Sequence, residues 1–151
     1  MKSILVIIGI AALFGGSIWW SKSLQDKDLN IIARNGLHWH PVLEIYVGGE
    51  KQVTPSDLGI GIQYASQPTY DPSMKMTAVH THDDADEGII HLEFGSIVRK
   101  EDTKLSSFFD IWGKDINSFG SNVSMVVNNE LNMQLGDYEM KDGDKIELRY
   151  E

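Results

Sequence analysis

Cysteine is absent from all 151 residues, which excludes disulfides, thiolate metal sites and thiol nucleophiles. The same absence leaves the compartment open, since a chain without disulfides can work on either side of a membrane. Basic residues are outnumbered: 13 Lys and Arg stand against 22 Asp and Glu, a formal charge of -9. A surface of that sign repels phosphate backbones, so no nucleic-acid partner is expected, and it suits a protein that binds cations. Neither a Gly-x-Ser-x-Gly elbow nor a glycine-rich phosphate loop occurs, so neither a serine-triad hydrolase nor a nucleotide-binding loop has motif support. Internal repeats are missing too, apart from a hairpin theme that occurs twice. The length is that of about one domain, with room for a modest core.

What the chain does have is clustered histidine. Of its five histidines, His38 and His40 form one His-x-His pair and His80 and His82 another, with His91 shortly after. In an extended strand, side chains at i and i+2 share a face. Each pair can therefore aim two imidazoles at one point, as a first-row transition metal requires. The acidic turn Asp83–Glu87, closed by Gly88, brings the next strand back beside the first, so His91 is expected to join His80 and His82 in one site. His38 and His40 supply a second limb.

Ahead of this region, Ile4–Trp20 is an apolar run flanked by Lys2 and Lys22, with Trp19 and Trp20 at its edge. It reads as an uncleaved transmembrane anchor over residues 1–22, with a signal peptide as the alternative, since no Ala-x-Ala cleavage site stands there. Lys22 and Lys27 offset Lys2 and the amino terminus, so charge alone orients the segment weakly. Its very short N-terminal tail places the following domain outside the cytoplasm. The expected partners are thus the membrane, through this helix, and a metal ion; whether there is a protein partner the sequence leaves open. Residues 23–35 read as a polar tether and 36–151 as a histidine-rich β domain.

That domain is expected to be α+β, mainly antiparallel hairpins with one packed amphipathic helix. Val42–Val47, the Gly48-Gly49 turn and Lys51–Thr54 read as a hairpin. A strand over Met74–His82 would set Met74, Met76, Ala78, His80 and His82 on one face. Ile89–Phe94 is another strand, with Ile89, His91 and Glu93 on one side. Leu105, Phe108, Phe109 and Trp112 recur at i, i+3, i+4 and i+7, which predicts a helix over Thr103–Trp112 started by Asp102 or Thr103 and ended by Gly113. Val123–Val127, Asn128-Asn129 and Leu131 onward form the second hairpin, and Lys145–Tyr150 is a half-buried last strand.

The succession His38-Trp-His-Pro41, His80-Thr-His-Asp83, Gly88-Ile-Ile-His-Leu-Glu93 and Phe108-Phe-Asp-Ile-Trp-Gly113 resembles a group of small exported or membrane-anchored bacterial and archaeal proteins. The group has no established activity, so the resemblance implies a module and no function. Met140–Leu148 also resembles the last strand of β-grasp, ubiquitin-like domains. Matches to catalytic metal families are partial. Glu87 stands where cupins place a glutamate after His-x-His, but the rest of the cupin pattern is missing. Asp84 fits the His-x-His-x-Asp of metallo-β-lactamase-like hydrolases, but Ala85 replaces their next histidine.

These observations converge on a transition-metal site at His80, His82, His91, His38 and His40. Imidazoles suit copper or zinc, and Met74 and Met76, if they face the pair, tip the balance towards copper. Core filling is the plain alternative for those methionines. Asp83, Asp84, Asp86 and Glu87 read as a solvated turn, with a carboxylate available to orient a ligand. The favoured role is metal binding or trafficking. One alternative is a small metalloenzyme with Glu87 or Glu93 as base; another is a metal-free interaction module whose histidines are structural.

Overall fold

The computed structural model describes residues 2–25 and 28–151, with the side chains of residues 2–6, 24 and 25 left aside. The charge of Lys27 and the side chain of Lys2, invoked above, lie outside the described residues. The chain divides into two units, one ending at Ile31 and the other spanning Ile32–Glu151. The first unit contains helix α1, Lys2–Gln25.

Among the described residues no helix is long and apolar enough to cross a membrane. The expected transmembrane or signal anchor, the membrane partner and the extracytoplasmic placement that followed from it are corrected on this point. The physical reason is reach. The unbroken apolar run is seventeen residues, at the short edge of the roughly 17–25 that a spanning helix takes. Gly9, Gly15, Gly16 and Ser17 dilute the run further.

The second unit is α+β and mainly antiparallel. The strands are β1 (Ile31–Ala33, whose first residue closes the first unit), β2 (Leu37–Trp39), β3 (Val42–Val47), β4 (Glu50–Gln52), β5 (Tyr70–Asp71), β6 (Met76–Thr77), β7 (Val79–His80), β8 (His91–Phe94), β9 (Val98–Arg99), β10 (Val123–Val127), β11 (Glu130–Asn132) and β12 (Lys145–Tyr150). Helix α2 covers Leu105–Trp112. A five-stranded sheet has the order β11-β10-β12-β3-β4, and a three-stranded sheet the order β2-β8-β7. Two-stranded pairs join β1 to β9 and β5 to β6.

Both expected hairpins form for the reason their turns suggest. Gly48 and Gly49, like Asn128 and Asn129, all take positive φ, the left-handed pair that a two-residue turn between twisted strands requires. The strand that sequence reading leaves without a partner is β12. It enters between the hairpins, antiparallel to β10 and parallel to β3. Buried Asp144 seats it: its carboxylate accepts bonds from the Tyr138 hydroxyl, the Lys141 amide and the Asn128 side chain, while its own carbonyl accepts the Val42 amide.

Eight residues are too few for a helix to hold itself, so α2 depends on packing. Leu105, Phe108 and Phe109 are at most 1% exposed. Phe108, Trp112, Phe119 and Tyr150 form a chain of ring contacts 5.5–5.7 Å apart that ties the helix to the last strand. Gly113 ends the helix as expected, at φ 69. Its start differs. Lys104 occupies the cap without a side-chain bond, and Asp102 instead accepts the Arg99 amide at the head of a short 3-10 turn over Lys100–Thr103.

Candidate metal centre

The three-stranded sheet carries the histidines, and its register explains how. On central strand β8, His91 lies opposite His80 of β7, and Glu93 lies opposite His38 of β2. Period-two alternation sends the intervening Leu92, and Ile90 just before the strand, into the core, both at 0% exposure. His40, two residues beyond His38, carries the row past the end of β2. The rings form one continuous cluster: His38 to His40 at 4.6 Å, His40 to His91 at 4.8 Å, His91 to His82 at 4.7 Å and His82 to His80 at 4.7 Å.

Within that cluster two groups of three could hold a metal ion. One is His80, His82 and His91; the other is His38, His40 and His91. In each, one ring nitrogen per residue lies within 4.8 Å of the others. All five sequence-derived candidates therefore meet in one place, with His91 common to both groups.

The expected continuous strand from Met74 to His82 is interrupted. Lys75 takes a positive φ, and β6 and β7 pair with different neighbours, on either side of Ala78. The Thr77 carbonyl is thereby freed to accept the His80 Nδ1 proton at 2.9 Å. That bond fixes the tautomer and leaves Nε2 with a lone pair. His82 Nε2 lies 3.1 Å from it. Ligand nitrogens around a tetrahedral ion with bonds of about 2.0–2.1 Å are roughly 3.3 Å apart. Without an ion the two rings are hydrogen-bonded through these nitrogens, at a distance close to the spacing that an ion would impose.

His91 is braced from the acidic turn. Residues Asp83–Glu87 form a 3-10 turn closed by Gly88 at φ 89, which folds Asp84 back so that both its oxygens lie 3.1–3.2 Å from His91 Nε2. Asp84 thus takes the orienting role open to a carboxylate of this turn, while Asp83, Asp86 and Glu87 are exposed. The other nitrogen, Nδ1 of His91, is buried without a hydrogen-bond partner. Leaving a buried polar atom unpaired costs about 1–3 kcal/mol.

His80 is fully buried, and burial pushes its pKa down to about 4, against the opposing bond to the Thr77 carbonyl. The lid over it is held by Thr81, whose hydroxyl donates to the Pro55 carbonyl and accepts the Leu58 amide. Gly59 allows the close approach: a Cβ there would meet the Val79 carbonyl at 2.6 Å and His80 Cβ at 3.1 Å.

The outer pair is more open. The side chains of His38 and His40 are 60% and 43% exposed. Glu93 holds His38 Nε2 at 2.7 Å. The His40 amide donates to Asp142 at 2.8 Å, across 102 residues of sequence. Asp142 and the Thr77 carbonyl were missed in the sequence, and no local pattern marks either. Met74 and Met76 line a cavity of about 600 Å³ with Tyr70, Glu93 and Phe94, whose wall contains no histidine.

No protein-family model, curated protein or solved structure matches the chain.

Proposed function

We propose that this protein binds one transition-metal ion through His80, His82 and His91, and that its role is to hold or deliver that ion. The observation that carries this reading is the inner group itself. One imidazole has its tautomer fixed by a carbonyl, a second lies 3.1 Å away, and a third has a buried nitrogen with nothing to bond. The His91 nitrogen discriminates, because a histidine serving only as a strand residue would have it satisfied or solvated, whereas the His80–His82 contact is also an ordinary hydrogen bond. An ion would accept the lone pairs that protein groups leave unused, and the Asp84 carboxylate behind His91 would make that ring a stronger donor.

An all-imidazole set suits zinc or copper(II). The preference for copper drawn from the methionines loses its support, because Met74 and Met76 stand in a different wall. Of the carboxylates considered as catalytic bases, Glu93 is engaged with His38 and Glu87 is exposed, so holding the ion is favoured over chemistry upon it.

The same reading extends to the scaffold. An opening hairpin, a crossing helix and a last strand parallel to the first, in the order β4-β3-β12-β10-β11, support a β-grasp sheet, to which the three-stranded histidine sheet is added. The meeting of all five histidines likewise supports kinship with the group that shares the His-Trp-His-Pro and His-Thr-His-Asp motifs.

Titration of zinc and of copper(II) into the wild type, His82→Ala and His91→Ala tests the proposal. Wild-type binding tighter than about 10 μM at pH 7.5 is expected, with each variant weaker by at least ~100-fold. Variants that bind as well as the wild type would return the histidines to a structural role.

A further inference from the structure

Resting on the metal-binding reading, we propose that His38, His40 and His91 form an entry position from which the ion passes to the inner group, with His91 as the shared ligand. Along the ring chain the side chains go from 60% exposed at His38 and 43% at His40, through 12% at His91, to a fully buried His80. A hydrated ion can reach the first two directly and His80 only through the others.

Geometry supplies the second step. His91 belongs to both groups, and its ring lies 4.8 Å from His40 and 4.7 Å from His82. Asp84 holds Nε2 of His91 and leaves Nδ1 open to a metal, and two sets that share one nitrogen are alternatives, so the ion exchanges two ligands and keeps one. No bond is oxidised or reduced. The ion leaves His38 and His40 for His80 and His82, and the ligands stay in the chain.

Charge sets the direction. Glu93 and Asp142 stand beside His38 and His40, so the entry position has carboxylates that draw a cation from solution. The inner position has fixed, desolvated imidazoles and an unpartnered nitrogen, which favour retention. Each carboxylate also explains itself here: Glu93 is placed by its register opposite His38, and Asp142 by the turn that precedes β12.

Rapid-mixing uptake of zinc by the full-length apo protein, followed by competition with a chromophoric zinc indicator, separates entry from retention. In the double variant His38→Ala/His40→Ala the final affinity should stay within about threefold of wild type, while uptake slows by ~10-fold or more. His80→Ala should retain weaker binding that disappears when His38→Ala and His40→Ala are added. Both outer residues are exposed, and circular dichroism checks that the double variant folds. An unchanged uptake rate would overturn the entry role. A loss of affinity equal to that of His80→Ala would mean one five-histidine site instead of two positions. Two zinc ions bound together by the wild type would overturn the sharing of His91. Failure of the wild type to bind zinc or copper(II) at all would remove the metal-binding reading itself, a result distinct from the other three.

Discussion

The five-stranded and three-stranded sheets use the same alternation to opposite ends. In the larger sheet Leu43, Ile45, Met125, Ile146 and Leu148 turn inward at no more than 1% exposure, and the other face meets solvent with Glu44, Lys51, Glu147 and Arg149. In the smaller sheet Val79, Ile90 and Leu92 join that same core, but the alternate positions carry imidazoles. One sheet gains its free energy from apolar burial and needs nothing added. The other leaves a buried nitrogen without a partner, a cost that a bound ion would offset. Strand periodicity therefore locates the two faces of a sheet without revealing what the second face is for. The residue types on that face do.

The comparison breaks first, and most severely, at the helix. Phe108→Ala should lower unfolding free energy by about 3–5 kcal/mol in urea melts, with or without metal. A loss that metal fully restores would mean that the two regions are not separable in this way.

Acid should act on the other region. His80 titrates at about 4 when folded and near 6.5 when unfolded. Between those values the unfolded chain binds a proton that the native chain refuses, so stability rises with pH across that window. On acidification from pH 7 the apo protein should lose up to roughly 3 kcal/mol from this residue, beginning below about 6.5 and ending near 4. Urea midpoints measured at several pH values, in wild type and His80→Gln, isolate the contribution. A slope identical in both proteins would contradict it.

Asp84→Asn sharpens the distinction further. It leaves the core untouched and removes the charge that braces His91, so zinc affinity should fall by ~10–100-fold while apo stability changes by less than about 1 kcal/mol. Competition titration and a urea melt on one sample read both quantities. The smallest effect is expected at the methionines. Met76→Leu conserves volume and should leave metal affinity within about twofold and stability within about 1.5 kcal/mol. A large loss of copper affinity there would restore the thioethers as ligands.

The legible parts of this molecule were those set by local chemistry. Gly48-Gly49 and Asn128-Asn129 specify their hairpins, the 3.6-residue recurrence of Leu105, Phe108 and Phe109 specifies α2, and the i, i+2 spacing of His80 and His82 specifies their convergence. The return of His91 was legible because a short turn separates it from them. What stayed hidden depends on contacts between distant segments. Nothing near Lys145–Tyr150 announces a parallel partner at Val42–Val47, and nothing near His40 points to Asp142. The break at Ala78 was also missed. It arises where β6 and β7 take different partners, and it removes Met74 and Met76 from the histidine face that an unbroken strand would have given them. The apolar run at the start misled for a different reason: at seventeen residues it stands at the short edge of a spanning segment, and among the described residues no helix is long and apolar enough to cross a membrane.

X-ray absorption at the zinc edge of the loaded wild-type protein reads the ligands of the inner histidine group. A shell containing three imidazole nitrogens at about 2.0–2.1 Å and no sulfur is expected, with one imidazole lost in His91→Ala. A shell of oxygens alone, or one unchanged by His91→Ala, would contradict it.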